Sequence, residues 1–251
     1  MQKEELQIQK RLIELSTVSY QRNIATYSDF LNLNELNILR ISPKELFSSA
    51  YETYGGYDYA ERQMVVFLPD AFSCIKIYPI KILRIRPIQK KFSEKLSHRD
   101  YLGAILNLGV ERSKIGDIIV LEYEAFVFLN DSIAAFVNDF LTRIRHTNVY
   151  TEFAVPENFS YTPKYEEIKG TVASIRLDSL LSLAYPMSRS KMTTFISSGR
   201  VFVNSRLTTA NSYKLGEGDV ISVRGLGKFM YYKFISETKK GRFYVSIHKY
   251  V

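Results

Sequence analysis

Hydrophobic positions along this chain change rhythm twice. At the N-terminus Leu6, Ile8, Leu12, Ile13 and Leu15 approximate a 3.6-residue stripe, which predicts a helix ending near Tyr20. Asp29 is a candidate cap for a short helix through Leu36. Ser42, Pro43 and Glu45 read as a capping-box start with proline at the first helical position, so a helix is expected from Pro43 to Tyr54, stopped by Gly55 and Gly56. Gln63 to Leu68 is short, β-rich and closed by Pro69 and Asp70, which predicts a strand at the end of a mainly helical domain, residues 1–72.

The rhythm then alternates between periods of two and 3.6 over residues 73–160. Lys81 to Ile88 reads as a strand, Arg99 to Leu108 as a helix ending at Gly109, and Gly116 to Leu121 with Ala125 to Leu129 as two strands. Asp131 is the expected cap of a second helix with Ile133, Phe136, Val137, Phe140 and Leu141 on one face, and Val149 to Val155 supplies a last strand. This βαββαβ order predicts a ferredoxin-like, RNA-recognition-motif-like sheet with both helices on one face, and a further strand is expected at Cys74 to Tyr78. Pro156 to Lys169 carries two prolines, Asn, Ser and charges, which marks a linker, part of which can pair as an edge strand.

The third rhythm occupies residues 170–251. Leu177, Leu180, Leu181 and Ala184 predict a short amphipathic helix stopped by Pro186. Ser188 can cap a second helix with Met192, Phe195 and Ile196 inward and Gly199 at its end. Strands follow at Val201 to Asn204 and Val220 to Arg224, and a final hairpin joins Met230 to Ser236 with Phe243 to His248 around Lys239, Lys240 and Gly241. The fold class is therefore α+β: a helical N-terminal domain, a central ferredoxin-like domain, and a helix pair on a small sheet.

Charge changes this picture. The 251 residues carry a formal net charge of +8, yet residues 170–251 hold 13 Lys and Arg against 4 Asp and Glu, a net of +9. The preceding 169 residues are thus near neutral, and the C-terminal domain is the part built to meet a polyanion. Arg189 and Lys191 sit in the first turn of a predicted helix, where the dipole repels cations, so an external anion is the expected compensation. The single cysteine, Cys74, excludes an internal disulfide and a multi-cysteine zinc site, and the histidines His98, His146 and His248 are too scattered for a metal. No apolar run reaches the roughly 20 residues that span a bilayer, and the N-terminal stretch lacks a signal-peptide core, so a cytoplasmic protein without membrane, metal or cofactor is expected.

At this point the residues match a known family. SIRLDSLLSLAYPMSRSKMTTFISSGRVFVNSRL followed by YKLGEGDVISVRGLGKF resembles the S4 RNA-binding domain, and YGGYDYAERQMVVFLPD with SHRDYLGAILNLGVERSKIGDIIV is similar to the bacterial YlmH group of S4-domain proteins. The resemblance implies RNA contacts by Arg176, Arg189, Ser190, Lys191, Arg200 and Asn204, with Arg224 and Lys228 as secondary contacts and Asp178 as an orienting residue. After the VN pair the family usually has Gly or Asn, whereas Ser205 and Arg206 stand here, so that turn is expected to differ. The group's role implies binding to large-subunit ribosomal RNA and peptidyl-tRNA on the ribosome, in quality control of stalled nascent chains, without catalysis.

Two catalytic signals stand against this. His98-Arg99-Asp100 imitates a kinase triplet, but Ile105 stands where the asparagine should be and no Gly-rich loop precedes it, so Ser97 or Asp100 capping a helix is the expected role. The alternative enzyme is an RNA-modifying one, because S4 domains accompany pseudouridine synthases. Arg176-Leu177-Asp178 resembles part of that signature, but it already belongs to the S4 helix. A Gly-rich methyl-donor loop is also missing. Seven central cations, Lys76, Lys81, Arg84, Arg86, Lys90, Lys91 and Lys95, could extend an RNA surface or merely face water. Tyr78 and Phe92 do not reproduce a stacking pair.

Overall fold

A computed structural model of the chain describes residues 3–69, 77–155, 159 and 161–250, apart from the side chains of Lys3, Phe92 and Arg189. They form two compact units, residues 1–161 and 162–251.

The first unit opens with α1 (Lys3–Arg22) and continues through β1 (Thr26–Tyr27), α2 (Leu33–Ile41), β2 (Ala50–Tyr54) and β3 (Met64–Leu68), with the three strands in the order β1-β3-β2. Here the periodicity misled in two places. Asn32, not Asp29, caps α2: its side chain accepts from the Asn34 and Glu35 amides while the Asn32 amide donates to Glu35 Oε2 at 2.6 Å, which completes a capping box. Asp29 is occupied instead by Lys114 Nζ at 2.7 Å. The helix expected from Pro43 to Tyr54 is a 3-10 turn (Lys44–Leu46) followed by β2. Ser42 closes the preceding helix, donating its hydroxyl to the Ile38 carbonyl at 2.7 Å, and Tyr51 packs edge-on against Phe67 of β3. Pairing with β3 and ring packing outweigh the local start signal.

The same unit continues with β4 (Ile80–Pro87), α3 (His98–Leu106), β5 (Ile115–Val120), β6 (Ala125–Asn130), α4 (Asp131–Phe140), β7 (Arg143–Ile144) and β8 (Thr147–Ala154). Its strand order, β5-β6-β4-β8-β7, is antiparallel throughout, the ferredoxin-like order with a two-residue edge strand added. Alternation along the strands sorts the residues. Leu83, Ile85, Val127 and Leu129 bury one face under Tyr101 and Ile105 of α3 and Ala134 and Val137 of α4.

The other face, carrying Ile82, Ile119 and Phe128, is covered by Phe30 and Met64 from the N-terminal segment. Tyr57 stacks on Phe128 with centroids 4.9 Å apart. Gly56 makes that approach possible: its φ is +99°, and a Cβ there would strike the Phe128 ring. The loop is held by Asp117, which accepts from Tyr57 Oη at 2.9 Å and from the Glu61 and Arg62 amides at 2.7 and 3.1 Å.

Asn130 rather than Asp131 caps α4, accepting from the Ser132 amide at 3.0 Å. Phe136 and Phe140, expected inside, meet ring to ring at a tilt with centroids 4.9 Å apart and stay exposed, because the helix turns only Ala134 and Val137 fully into the sheet. Most of the strand expected at Cys74 to Tyr78 lies outside the described residues, and Ile77 and Tyr78 are not in a strand.

The second unit consists of β9 (Tyr165–Val172), α5 (Leu177–Ala184), α6 (Arg189–Ser197), β10 (Val201–Val203), β11 (Arg206–Leu207), β12 (Val220–Val223), β13 (Gly227–Glu237) and β14 (Phe243–Tyr250). The sheet order is β11-β10-β12-β13-β14-β9, so part of the segment read as a linker is the sheet's edge strand. Leu180, Leu181, Met192 and Ile196 of the helix pair pack on Val201, Ile221, Phe229, Val245 and Ile247, all without solvent exposure. Burying each such side chain contributes about 1.5–3 kcal/mol, which is what fixes the two helices to one face.

Candidate nucleic-acid interface

The expected contact residues fall at the ends of the elements of the second unit. Arg176 is the N-cap residue of α5, and its guanidinium holds Asp178, whose side chain is only 8% exposed. Ser188 caps α6, its hydroxyl accepting from the Lys191 amide at 3.4 Å. Arg189 therefore opens the helix, with Ser190 and Lys191 exposed in its first turn. This is the arrangement in which an anion placed at the helix start meets both the dipole and the charge of Lys191.

Gly199, with φ +69°, ends α6 and leads to Arg200, whose guanidinium lies over the Phe195 ring at 5.4 Å. The backbone joins Arg200 to a second candidate, since the Arg224 amide donates to the Arg200 carbonyl at 2.9 Å. Arg224 itself lies over Phe202, 5.6 Å from the centroid. Because Val201 and Val203 face the helices, Phe202 and the arginine above it occupy the opposite face of the sheet. Lys228, 5.2 Å from the Tyr250 ring, is on that opposite face too, since its neighbour Phe229 points into the core. The expected set thus divides between the two faces of one sheet.

Asn204 has a different occupation. Its amide donates to Asp219 Oδ1 at 2.8 Å and its carbonyl accepts from the Val220 amide at 2.9 Å. Asp219 also receives the Gly216 amide at 2.8 Å, so Asn204 ties the β10–β11 turn to the turn before β12. Both turn residues are left-handed, with φ 49° at Asn204 and 62° at Ser205, as a two-residue hairpin of the mirror-image type requires. The turn bends as glycine or asparagine would bend it, although Ser205 is neither.

The central-sheet cations and the expected contact residues are occupied differently. In the first unit, Arg84 meets Glu124 at 2.8 Å and Glu152 at 3.3 Å, Arg86 meets Glu152 at 2.7 Å, and Lys81 faces Asp131 at 3.8 Å. In the second, Lys191, Arg200 and Arg224 have no carboxylate partner among the described residues. Ser97 and Asp100 form a capping box on α3, so the kinase-like triplet is a helix start, and Arg145 lies 3.5 Å from Asp100. Among the described residues no group of three His, Cys, Asp or Glu side chains is placed to hold a metal, and no helix is long and apolar enough to cross a membrane.

The residue pattern marks Asp219, with Gly216 and Gly218, only as a turn into the strand from Val220, and it does not single out Tyr185 or the outer-face aromatics. Tyr185, between the helices, is buried against Phe229 with Lys249 over its ring at 5.0 Å, and burial pushes its hydroxyl up to about 12. A signal existed for the aromatics: alternation in β14 sets Ser246, His248 and Tyr250 on the face away from Val245 and Ile247.

Comparison with known proteins agrees with this geometry. Residues 76–158 match the family model described as "Putative RNA-binding domain in YlmH", and residues 175–221 match the S4 domain. The ribosome-associated protein quality control protein P2 of Bacillus subtilis (strain 168) is 30% identical over 197 residues, covering 78% of this chain and 76% of that protein. Among solved structures, the cell division protein ylmH from Streptococcus pneumoniae superposes with a TM-score of 0.52 at 24% identity, covering 64% of this chain and 97% of that one, which supports the fold.

Proposed function

This chain belongs to the YlmH family of S4-domain RNA-binding proteins, and from that premise we propose that it works on the ribosome, holding structured RNA through its C-terminal unit without altering it chemically. The observation that carries this reading is the set of exposed cations, Lys191, Arg200 and Arg224, that no carboxylate of the described residues neutralises. Arginine offers phosphate oxygens two parallel hydrogen bonds and lysine offers a mobile charge, so such a surface follows the backbone of folded RNA rather than reading its bases.

The Bacillus relative is named for ribosome-associated protein quality control, which supports a place on the ribosome, and in our reading large-subunit ribosomal RNA and peptidyl-tRNA are the RNAs held there while a stalled nascent chain is processed. In this reading Arg189, Ser190 and Lys191 receive one RNA segment at the start of α6, Arg200 extends that contact, and Asp178 orients Arg176. Asn204 shapes the turn. Residues 1–72 and 73–160, which pack as one compact unit, act together in positioning, and the protein operates in the cytoplasm, where ribosomes are.

The test is crosslinking in cells followed by recovery of the bound RNA, with Lys191→Ala/Arg200→Ala beside the parent. Large-subunit RNA and tRNA without altered bases are expected. With purified ribosomes the variant should lower the slope of log affinity against log salt by about 0.7–0.9 per lost phosphate contact. Equal ribosome association of variant and parent refutes the assignment, and loss of one modified base on gene deletion would point to an enzyme.

A further inference from the structure

The sheet face of the second unit that points away from α5 and α6 carries a ladder of rings running across three strands. His248 of β14 is sandwiched between Tyr165 of β9, at 3.9 Å and 11°, and Tyr232 of β13, at 4.0 Å and 21°. The ladder ends at the sheet's edge, because β9 is the outermost strand and Tyr165 is 51% exposed. One face of the Tyr165 ring lies on His248, and among the described residues no further ring stacks on the other.

The surroundings are cationic. Lys233 lies over Tyr232 at 5.1 Å, and Lys228 lies over Tyr250, the cross-strand neighbour of Tyr165. Glu167, an acid beside the ladder, accepts from Ser246 Oγ at 2.7 Å and pairs with Lys169 at 3.1 Å. His248 is 7% exposed, and burial lowers its proton affinity, with Lys233 acting in the same direction and Glu167 opposing. The ring stays neutral near pH 7 and stacks rather than repelling a cation.

We propose that this outer face is a second RNA-binding surface, on which an unpaired nucleotide stacks its base against the open side of Tyr165. Lys228, over the neighbouring Tyr250, meets a flanking phosphate, and Lys233, at the far end of the ladder, meets the strand further along. A terminal aromatic ring among lysines is what single-stranded RNA uses: every base has a π-face, and stacking tolerates any sequence. Charge argues against a protein strand as the occupant, since the surface would gain nothing for its lysines from a neutral backbone added to β9. The inference rests on the reading of this unit as RNA-binding, but uses the opposite face from α6. One domain would then hold folded RNA by phosphates on one side and a loose nucleotide on the other.

The experiment uses the full chain and two short unstructured oligoribonucleotides, one normal and one with a central abasic site. The parent is expected to bind the normal strand about tenfold more tightly. Tyr165→Leu should bring that preference close to unity, and Tyr165→Phe should keep it. The preference is a difference between two strands of equal charge, so the α6 cations do not enter it. A preference that Tyr165→Leu leaves intact overturns the proposal, as does a parent with no preference. Failure of the α6 reading shows separately, as structured-RNA affinity unchanged in Lys191→Ala.

Discussion

Arg176 reaches around the first turn of α5 to hold Asp178 by two nitrogens, Nε to Oδ1 at 3.3 Å and Nη2 to Oδ2 at 3.1 Å. The residue expected to touch RNA is therefore already engaged, and its carboxylate partner is buried while the guanidinium is 39% exposed. Removing the cation leaves a buried carboxylate short of one partner, a costly state, although solvent reaching the arginine screens part of the loss. Arg176→Ala is expected to destabilise the second unit by about 1–2 kcal/mol. Urea unfolding followed by circular dichroism measures this. An unchanged midpoint would mean that the pair is only a surface contact and that Arg176 is available to RNA.

Ser205 offers a gain instead of a loss. A side chain at φ 62° costs about 1–2 kcal/mol, and glycine removes that strain while adding freedom to the unfolded chain. Ser205→Gly should stabilise the protein by about 0.5–1 kcal/mol. Asn204→Ala, which removes both links to the β12 turn, should cost about 1–3 kcal/mol. Thermal melting of the two variants should therefore move in opposite directions, and a fall for Ser205→Gly would show that the serine hydroxyl matters more than the backbone.

How far the sequence could be read depends on the range of the interactions involved. The helix pair of the second unit was legible because Leu177, Leu180 and Leu181, then Met192 and Ile196, repeat at helical spacing between Pro186, Ser188 and Gly199, all local signals. The ferredoxin-like order was legible for the same reason. Pro43 to Tyr54 was not, because its outcome was decided by Phe67 and Val66 of β3, residues distant in sequence. The site was legible as charge and as motif, but not as two faces. Alternation of Phe202 and Lys228 against their core neighbours separates Arg224 and Lys228 from the α6 cations, and no residue pattern announces that Asn204 is taken by Asp219.

The ring ladder gives a pH dependence. His248 has its proton affinity lowered from the ordinary 6.5 by burial. As pH falls below about 6.5 the unfolded chain takes up a proton that the folded state refuses, so stability declines through that window and is fully present above it. His248→Phe keeps a ring between Tyr165 and Tyr232 and removes the titration. Melting temperatures at about pH 7.5 and 5.5 should differ less in the variant than in the parent. Equal differences would assign the pH response to other groups.

Glu152 decides whether the central sheet can meet RNA. It accepts from Arg86 Nη2 at 2.7 Å and from Arg84 Nη1 at 3.3 Å, and Arg84 is further held by Glu124. The apolar half of the same sheet face lies under Phe30, Met64 and Tyr57. An RNA strand approaching this face would have to displace carboxylates from both arginines, giving up charge-assisted bonds worth about 1.5–3 kcal/mol each before making any of its own. Arg84→Ala is therefore expected to lower stability by about 1–2 kcal/mol while leaving the salt slope of RNA binding where it was. Glu152→Gln supplies the converse. It takes the carboxylate from Arg86 while Arg84 keeps Glu124, so if the face were within reach of RNA the slope would steepen by about one phosphate contact. A slope equal to the parent's in both variants restricts RNA contact in the first unit to its edges, and a change in either returns Arg84 and Arg86 to the interface.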